Sequence, residues 1–143
     1  MSLTNIFNIS GSGMSAQTVR LNSTASNLAN AQSVSSSVGE TYKARHPVFA
    51  SAMANVFSGG NDGVFDSDGG VRVLGVVESD APYQIRYQPH HPMANDEGYV
   101  TYPNVNVMEE MTNMISSSRS FQMNVEVMNT AKTMMQRVLS LGQ

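Results

Sequence analysis

Cysteine is missing from this chain of 143 residues, which excludes disulfides, thiolate metal sites and cysteine nucleophiles. Charge is scarce as well: Asp, Glu, Lys and Arg make up 13% of the residues, against roughly 25% in an average globular chain. The net charge of -3 offers no basic footprint, so nucleic acid is not an expected partner. No apolar run approaches the ~18 residues of a membrane span, so no transmembrane segment is expected. The N-terminus lacks the basic stretch leading into an apolar one that marks a cleaved secretory signal. By length the chain is expected to form one structural unit.

What is present falls into three stretches of different composition. Residues 1–36 are rich in Ser, Asn, Thr and Ala, with Arg20 the one charged side chain before Glu40. Residues 37–103 hold most of the glycines and all five prolines, and residues 104–143 hold neither until Gly142, which supplies a stop. Within that last stretch Val107, Met111, Met114, Ser118, Phe121, Val125, Met128, Lys132, Met135 and Leu139 are spaced alternately four and three apart. Eight of the ten are apolar, a heptad-like stripe along one helix face. Asn106 with Glu109 three residues on gives the helix start, and Pro103 lies just upstream. Glu109 and Glu110 suit the positive end of the helix dipole, and Lys132 and Arg137 suit the negative end. At 1.5 Å per residue such a helix is about 50 Å long, more than a small globule covers. The stripe therefore calls for a partner surface, although one long helix in the core of an ordinary bundle would carry the same pattern.

The N-terminal stretch carries a weaker version of this pattern. Phe7, Met14, Leu21 and Leu28 recur every seven residues over 3–30, beside a companion column of Leu3, Ser10, Gln17, Thr24 and Ala31 that is mostly polar. Gly11 and Gly13 each cost about 1 kcal/mol of helix propensity relative to Ala. A helix this poor in charge and nucleation is expected to be stable only when packed. It either pairs with the C-terminal helix alone, as a hairpin, or with neighbouring subunits too.

The middle reads as a small β element: VRVLGVV at 71–77, YQIRY at 83–87 and YVTY at 99–102 alternate and are rich in β-branched and aromatic residues. GGNDG at 59–63 and SDGG at 67–70 are turn chemistry. The expected fold is thus mainly α with a small β element. Long N- and C-terminal helices pack as a coiled-coil-like pair around a middle region containing a short β-hairpin.

Chemistry has no foothold. His90 and His91 are adjacent between prolines, whereas a helical metal pair needs i, i+4 spacing, and His46 is remote in sequence. Asp62, Asp66 and Asp68 approach a calcium loop, but Gly70 stands where the third ligand should be. No serine lies in a nucleophile elbow or S-x-x-K motif, and GSG at 11–13 is too short for a phosphate loop. No enzyme activity, cofactor, metal or small-molecule substrate is expected. Seven of the eleven methionines lie in residues 107–141, where adaptable side chains fill helix contacts.

The run ASNLANA at 25–31 resembles the signature of the flagellar axial proteins of rod and hook, in which it closes the first helix and leads into a G-Y-K-x-R segment. Here Tyr42, Lys43 and Arg45 match the second half of that segment, and Glu40-Thr41 replace its start. GYV at 98–100, PNVNV at 103–107 and SRSFQ at 118–122 are similar to the family's lead into its C-terminal helix and to a step within it. The short chain and small middle insert point to the proximal-rod members.

The resemblance implies a structural subunit exported unprocessed through the flagellar type III channel. It would assemble with copies of itself, other rod proteins and ring or adaptor proteins at the rod base, forming the periplasmic drive shaft of the basal body. It also implies an assembly motif of Asn27, Leu28, Asn30, Tyr42, Lys43 and Arg45. The periodic stripes themselves give the expected helix-seam interface: Phe7, Met14, Leu21, Met111, Met114, Phe121, Val125, Met128, Met135 and Leu139. Asn27 and Asn30 are expected to cap the helix end, since an amide there satisfies terminal groups and tolerates unusual backbone angles. A soluble helical adaptor that binds one other coiled coil is the competing reading.

Overall fold

The computed structural model describes residues 3–37, 39–52 and 69–141. Along these residues two long helices precede and follow four short strands, in the order α1 (Leu3–Asn30), β1 (Arg45–Ser51), β2 (Val71–Glu78), β3 (Gln84–Tyr87), β4 (Tyr99–Tyr102) and α2 (Val107–Leu141). This is the mainly α fold with a small β element expected from the sequence. The 59–63 turn, Asp62, Asp66, Asp68 and Gly142 lie outside the described residues.

The helices form where the patterns place them. Asn106 Oδ1 accepts the Met108 amide at 3.2 Å, so Asn106 caps α2, and Glu109 and Glu110 occupy its first turn. Lys132 and Arg137 stand before the last turn of α2, not in it. Hydroxyl groups in the charge-poor helices return to their own backbone: Thr18 bonds the Met14 carbonyl and Thr133 the Asn129 carbonyl, each at 2.9 Å.

One strand was not expected. β1 contains Pro47, which argues against a central strand, but its two-stranded sheet with β2 has only edges, where a missing N–H is tolerated. Hydrogen bonds from Ala52 N to Gly70 O and from Ser79 N to Ala44 O, both 2.8 Å, close this antiparallel pair at its two ends. The second sheet pairs β3 with β4 antiparallel, Ile85 opposite Thr101 and Tyr87 opposite Tyr99.

The chain divides into two compact units. Among the described residues, unit 1 comprises 3–19, 48–52, 69–75 and 117–141. Its helical segments run side by side with little bulk between them: a Cβ on Gly13 would lie 3.0 Å from Asn124 Nδ2. Ser10, Ala16, Ser117 and Ala131 are its buried helix residues. Unit 2 comprises residues 20–47 and 76–116. Its core is Ala44, Val100, Pro103 and Val105, and Ser35, Thr41 and Thr101 are buried against them. The Ser35 and Thr41 hydroxyls bond each other at 2.8 Å, and the Ser35 and Thr101 backbones form a β-bridge.

Gly98 ends the β3–β4 connection at φ 83°, a left-handed conformation that side chains disfavour. A Cβ there would also lie 2.9 Å from the Tyr87 ring. Gly98→Ala is therefore expected to lower the stability of unit 2 by about 2 kcal/mol, read as a shifted urea midpoint. An unchanged midpoint would show that the hairpin contributes nothing to the fold.

Candidate assembly motif and interaction surface

Asn27 is fully buried, and its side-chain amide uses both donors and both acceptor positions. Nδ2 donates to the Arg45 carbonyl at 2.9 Å and to Glu110 Oε1 at 3.1 Å. Oδ1 accepts the Tyr42 hydroxyl at 2.9 Å and the Arg45 amide at 2.8 Å. A single side chain on α1 thereby holds the 42–45 segment and the first turns of α2. A carboxylate or an aliphatic group of the same size could not make that set of bonds. Instead of capping the helix end, as expected, Asn27 bridges elements. Non-glycine residues with positive φ are absent among those described.

Glu110 is itself buried; its Oε2 has no partner among the described residues. Asn104 forms a second amide hub in unit 2. Its Oδ1 accepts the Ala44 amide at 2.7 Å, and its Nδ2 donates to the Ser79 and Ala81 carbonyls at 3.1 and 2.9 Å. The 42–45 segment is thus held from both sides by asparagines. Tyr83 adds a hydroxyl bond to the Thr41 carbonyl at 3.3 Å.

The remaining motif residues are placed differently. Asn30 Nδ2 turns back to the Ser26 carbonyl at 2.8 Å, and Leu28 and Lys43 are half-buried. Arg45 lies 5.7 Å from the Tyr42 ring centroid and pairs with Glu78 at 3.2 Å. Both ends of that ion pair are half exposed, which limits its contribution to about 1 kcal/mol or less. Burial raises the pKa of Tyr42 above its ordinary 10.0; Arg45 opposes this, and Glu110 and Glu78 add to it. A raised tyrosine pKa contributes stability that is fully present below the unfolded value and lost as pH rises through the folded one. Tyr42→Phe removes the hydroxyl bond to Asn27 and should cost about 1 kcal/mol at neutral pH. It should also flatten the fall in urea midpoint above pH ~10 relative to the unsubstituted chain. An identical alkaline slope in both proteins would exclude Tyr42 as its source.

The helix-seam residues divide by exposure. Phe7, Met14 and Leu21 are half-buried, as are Met114, Phe121, Met128 and Met135. Met111, Val125 and Leu139 are 48%, 36% and 68% exposed. The positions that complete the buried face of α2 are Glu110, Ser117, Asn124 and Ala131, with Asn124 half-buried. The sequence reading did not select that column, nor Asn104 or Glu110 as site residues. Among the described residues no His, Asp or Glu cluster could hold a metal ion.

A family model described as flagella basal body rod protein matches residues 7–34, and one described as flagellar basal body rod FlgEFG protein C-terminal matches residues 96–141. The chain is 49% identical to the flagellar basal-body rod protein FlgC of Escherichia coli O6:H1 and 48% to that of Salmonella typhimurium, over 143 residues and the full length of both partners. It belongs to the FlgC family. The FlgC of Bacillus subtilis is 33% identical over 143 residues, covering 95% of each chain. The two matched segments contain α2 and α1 from Phe7 onward, and with them Asn27, Asn104 and Glu110. Tyr42 and Arg45 lie between the segments and are joined to both through the Asn27 amide.

Proposed function

We propose that this chain is a structural subunit of the flagellar basal-body rod, working mechanically in the periplasmic drive shaft and performing no chemistry. Membership of the FlgC family supports the rod and the basal body. The observation that carries the mechanical reading is the apolar column flanking the buried face of α2, where Met111, Val125 and Leu139 keep 48%, 36% and 68% of their surface exposed. Large apolar side chains repeated along a helix at coiled-coil spacing favour a second surface by about 1.5–3 kcal/mol for each one fully covered. Other rod proteins and further copies of this chain provide such surfaces in an assembly built by head-to-tail repetition. Ring or adaptor proteins at the rod base are the further partners of this reading.

Export through the flagellar type III channel fits a helix α1 with little intrinsic propensity, which orders when packed. The test is purification of basal bodies from cells producing a tagged copy in place of the chromosomal one. The tag is expected in the rod fraction, unprocessed and inaccessible to protease until the outer membrane is opened. Recovery as a soluble complex with one cytoplasmic partner, in cells that swim without it, would overturn the reading.

A further inference from the structure

The C-terminal half of α2 is net positive and the turn of the β3–β4 hairpin is acidic, each beside an exposed apolar patch; Arg86 of β3 alternates to the other face, over the Tyr102 ring at 4.7 Å. In residues 117–141 the cations are Arg119, Lys132 and Arg137, against Glu126 alone. Met123, Val127, Met134 and Val138 are exposed along one side of that segment at helical spacing. Met123, Val127 and Met134 line a mainly apolar groove together with Ile6 of α1, and Glu126 is its one charged member. Arg119 and Arg137 fall on one flank of this stripe by the 3.6-residue period.

The hairpin offers the counterpart. Ile85 and Tyr87 on β3 are more than 60% exposed, and Tyr99 shares their face across the strand pair. The two tyrosine rings meet edge to face at 5.3 Å and form one continuous aromatic surface. Asp96 and Glu97 rim it, both exposed, in the turn that leads into β4. Neither acid, nor Arg119 or Arg137, has an ion-pair partner among the described residues.

We infer that the methionine-rich, arginine-flanked outer face of α2 in one copy docks on the Ile85–Tyr87–Tyr99 face, rimmed by Asp96 and Glu97, of a second copy. The match is chemical on two counts: methionine against aromatic rings, and guanidinium groups against carboxylates. The two surfaces are different, so the contact is heterologous, the kind that repeats from copy to copy in a ring or a helical array. The inference rests on the rod-subunit reading and assigns it a specific contact between copies.

Charge exchange tests it in cells. Chains with Arg119→Glu and Arg137→Glu, or with Asp96→Lys and Glu97→Lys, are each expected to remain folded by circular dichroism and to lose swimming. Combining all four substitutions in one chain, or producing the two variants together, should restore it. Because the chain has no cysteine, Met123→Cys with Tyr99→Cys should also give disulfide-linked multimers in isolated basal bodies. If folded single-surface variants swim normally, or the fourfold chain stays immotile and no cross-link forms, the docking is overturned. The rod reading survives that result provided the unsubstituted chain is still found in the basal body. Its absence from the basal body would overturn both.

Discussion

Asn27→Ala is expected to destabilise unit 2 severely and abolish swimming. The substitution removes four hydrogen bonds at a position with no access to water. It leaves the Arg45 amide and carbonyl, the Tyr42 hydroxyl and Glu110 Oε1 short of a partner together. Each buried polar group left unsatisfied costs about 1–3 kcal/mol, and neighbours in one network do not add fully. A loss on the order of 4 kcal/mol follows, a large part of a total that is typically about 5–15 kcal/mol. Asn27→Asp should be nearly as damaging, because it keeps the acceptors, loses both donors and sets a carboxylate against Glu110. Glu110→Ala removes only one of the four bonds and should be milder than either. The ordering is read from urea midpoints, and a loss below about 1 kcal/mol for Asn27→Ala would exclude the hub as a structural element.

Periodicity made the helices legible and missed what joins them. The α2 stripe and the N-terminal sevenfold repeat depend on local spacing, which sequence shows directly, and α1 and α2 form over the stretches expected. The strand at 45–51 was hidden because Pro47 is a local signal against pairing, and only the two-stranded topology makes it harmless. Asn27 was selected by resemblance, but its task could not be read from its neighbours. Its partners lie 15, 18 and 83 residues away, and an asparagine on a helix carries no mark of where its amide points. Asn104 and Glu110 were missed as site residues for the same reason.

The α2 stripe divides by burial into two columns, and two sets of substitutions test whether they serve different contacts. Met114, Phe121, Met128 and Met135 are half-buried beside Ser117, Asn124 and Ala131, small or polar positions that hydropathy passes over. Within unit 1 these small positions leave room for close approach to α1, as at Gly13 and Asn124. Phe121→Asp places a charge in that contact and removes a ring, so it should destabilise the isolated subunit by on the order of 3 kcal/mol. Val125 and Leu139 stand on the other column, exposed. Val125→Asp and Leu139→Asp should change the stability of the isolated subunit by about 0.5 kcal/mol or less. They should nevertheless abolish swimming, since the cost of a carboxylate there falls only when a neighbouring surface covers it. Equal loss of urea stability in the two sets would mean that the stripe serves one helix pair inside the chain. Stable, soluble and immotile Val125→Asp and Leu139→Asp chains would assign the outer column to assembly.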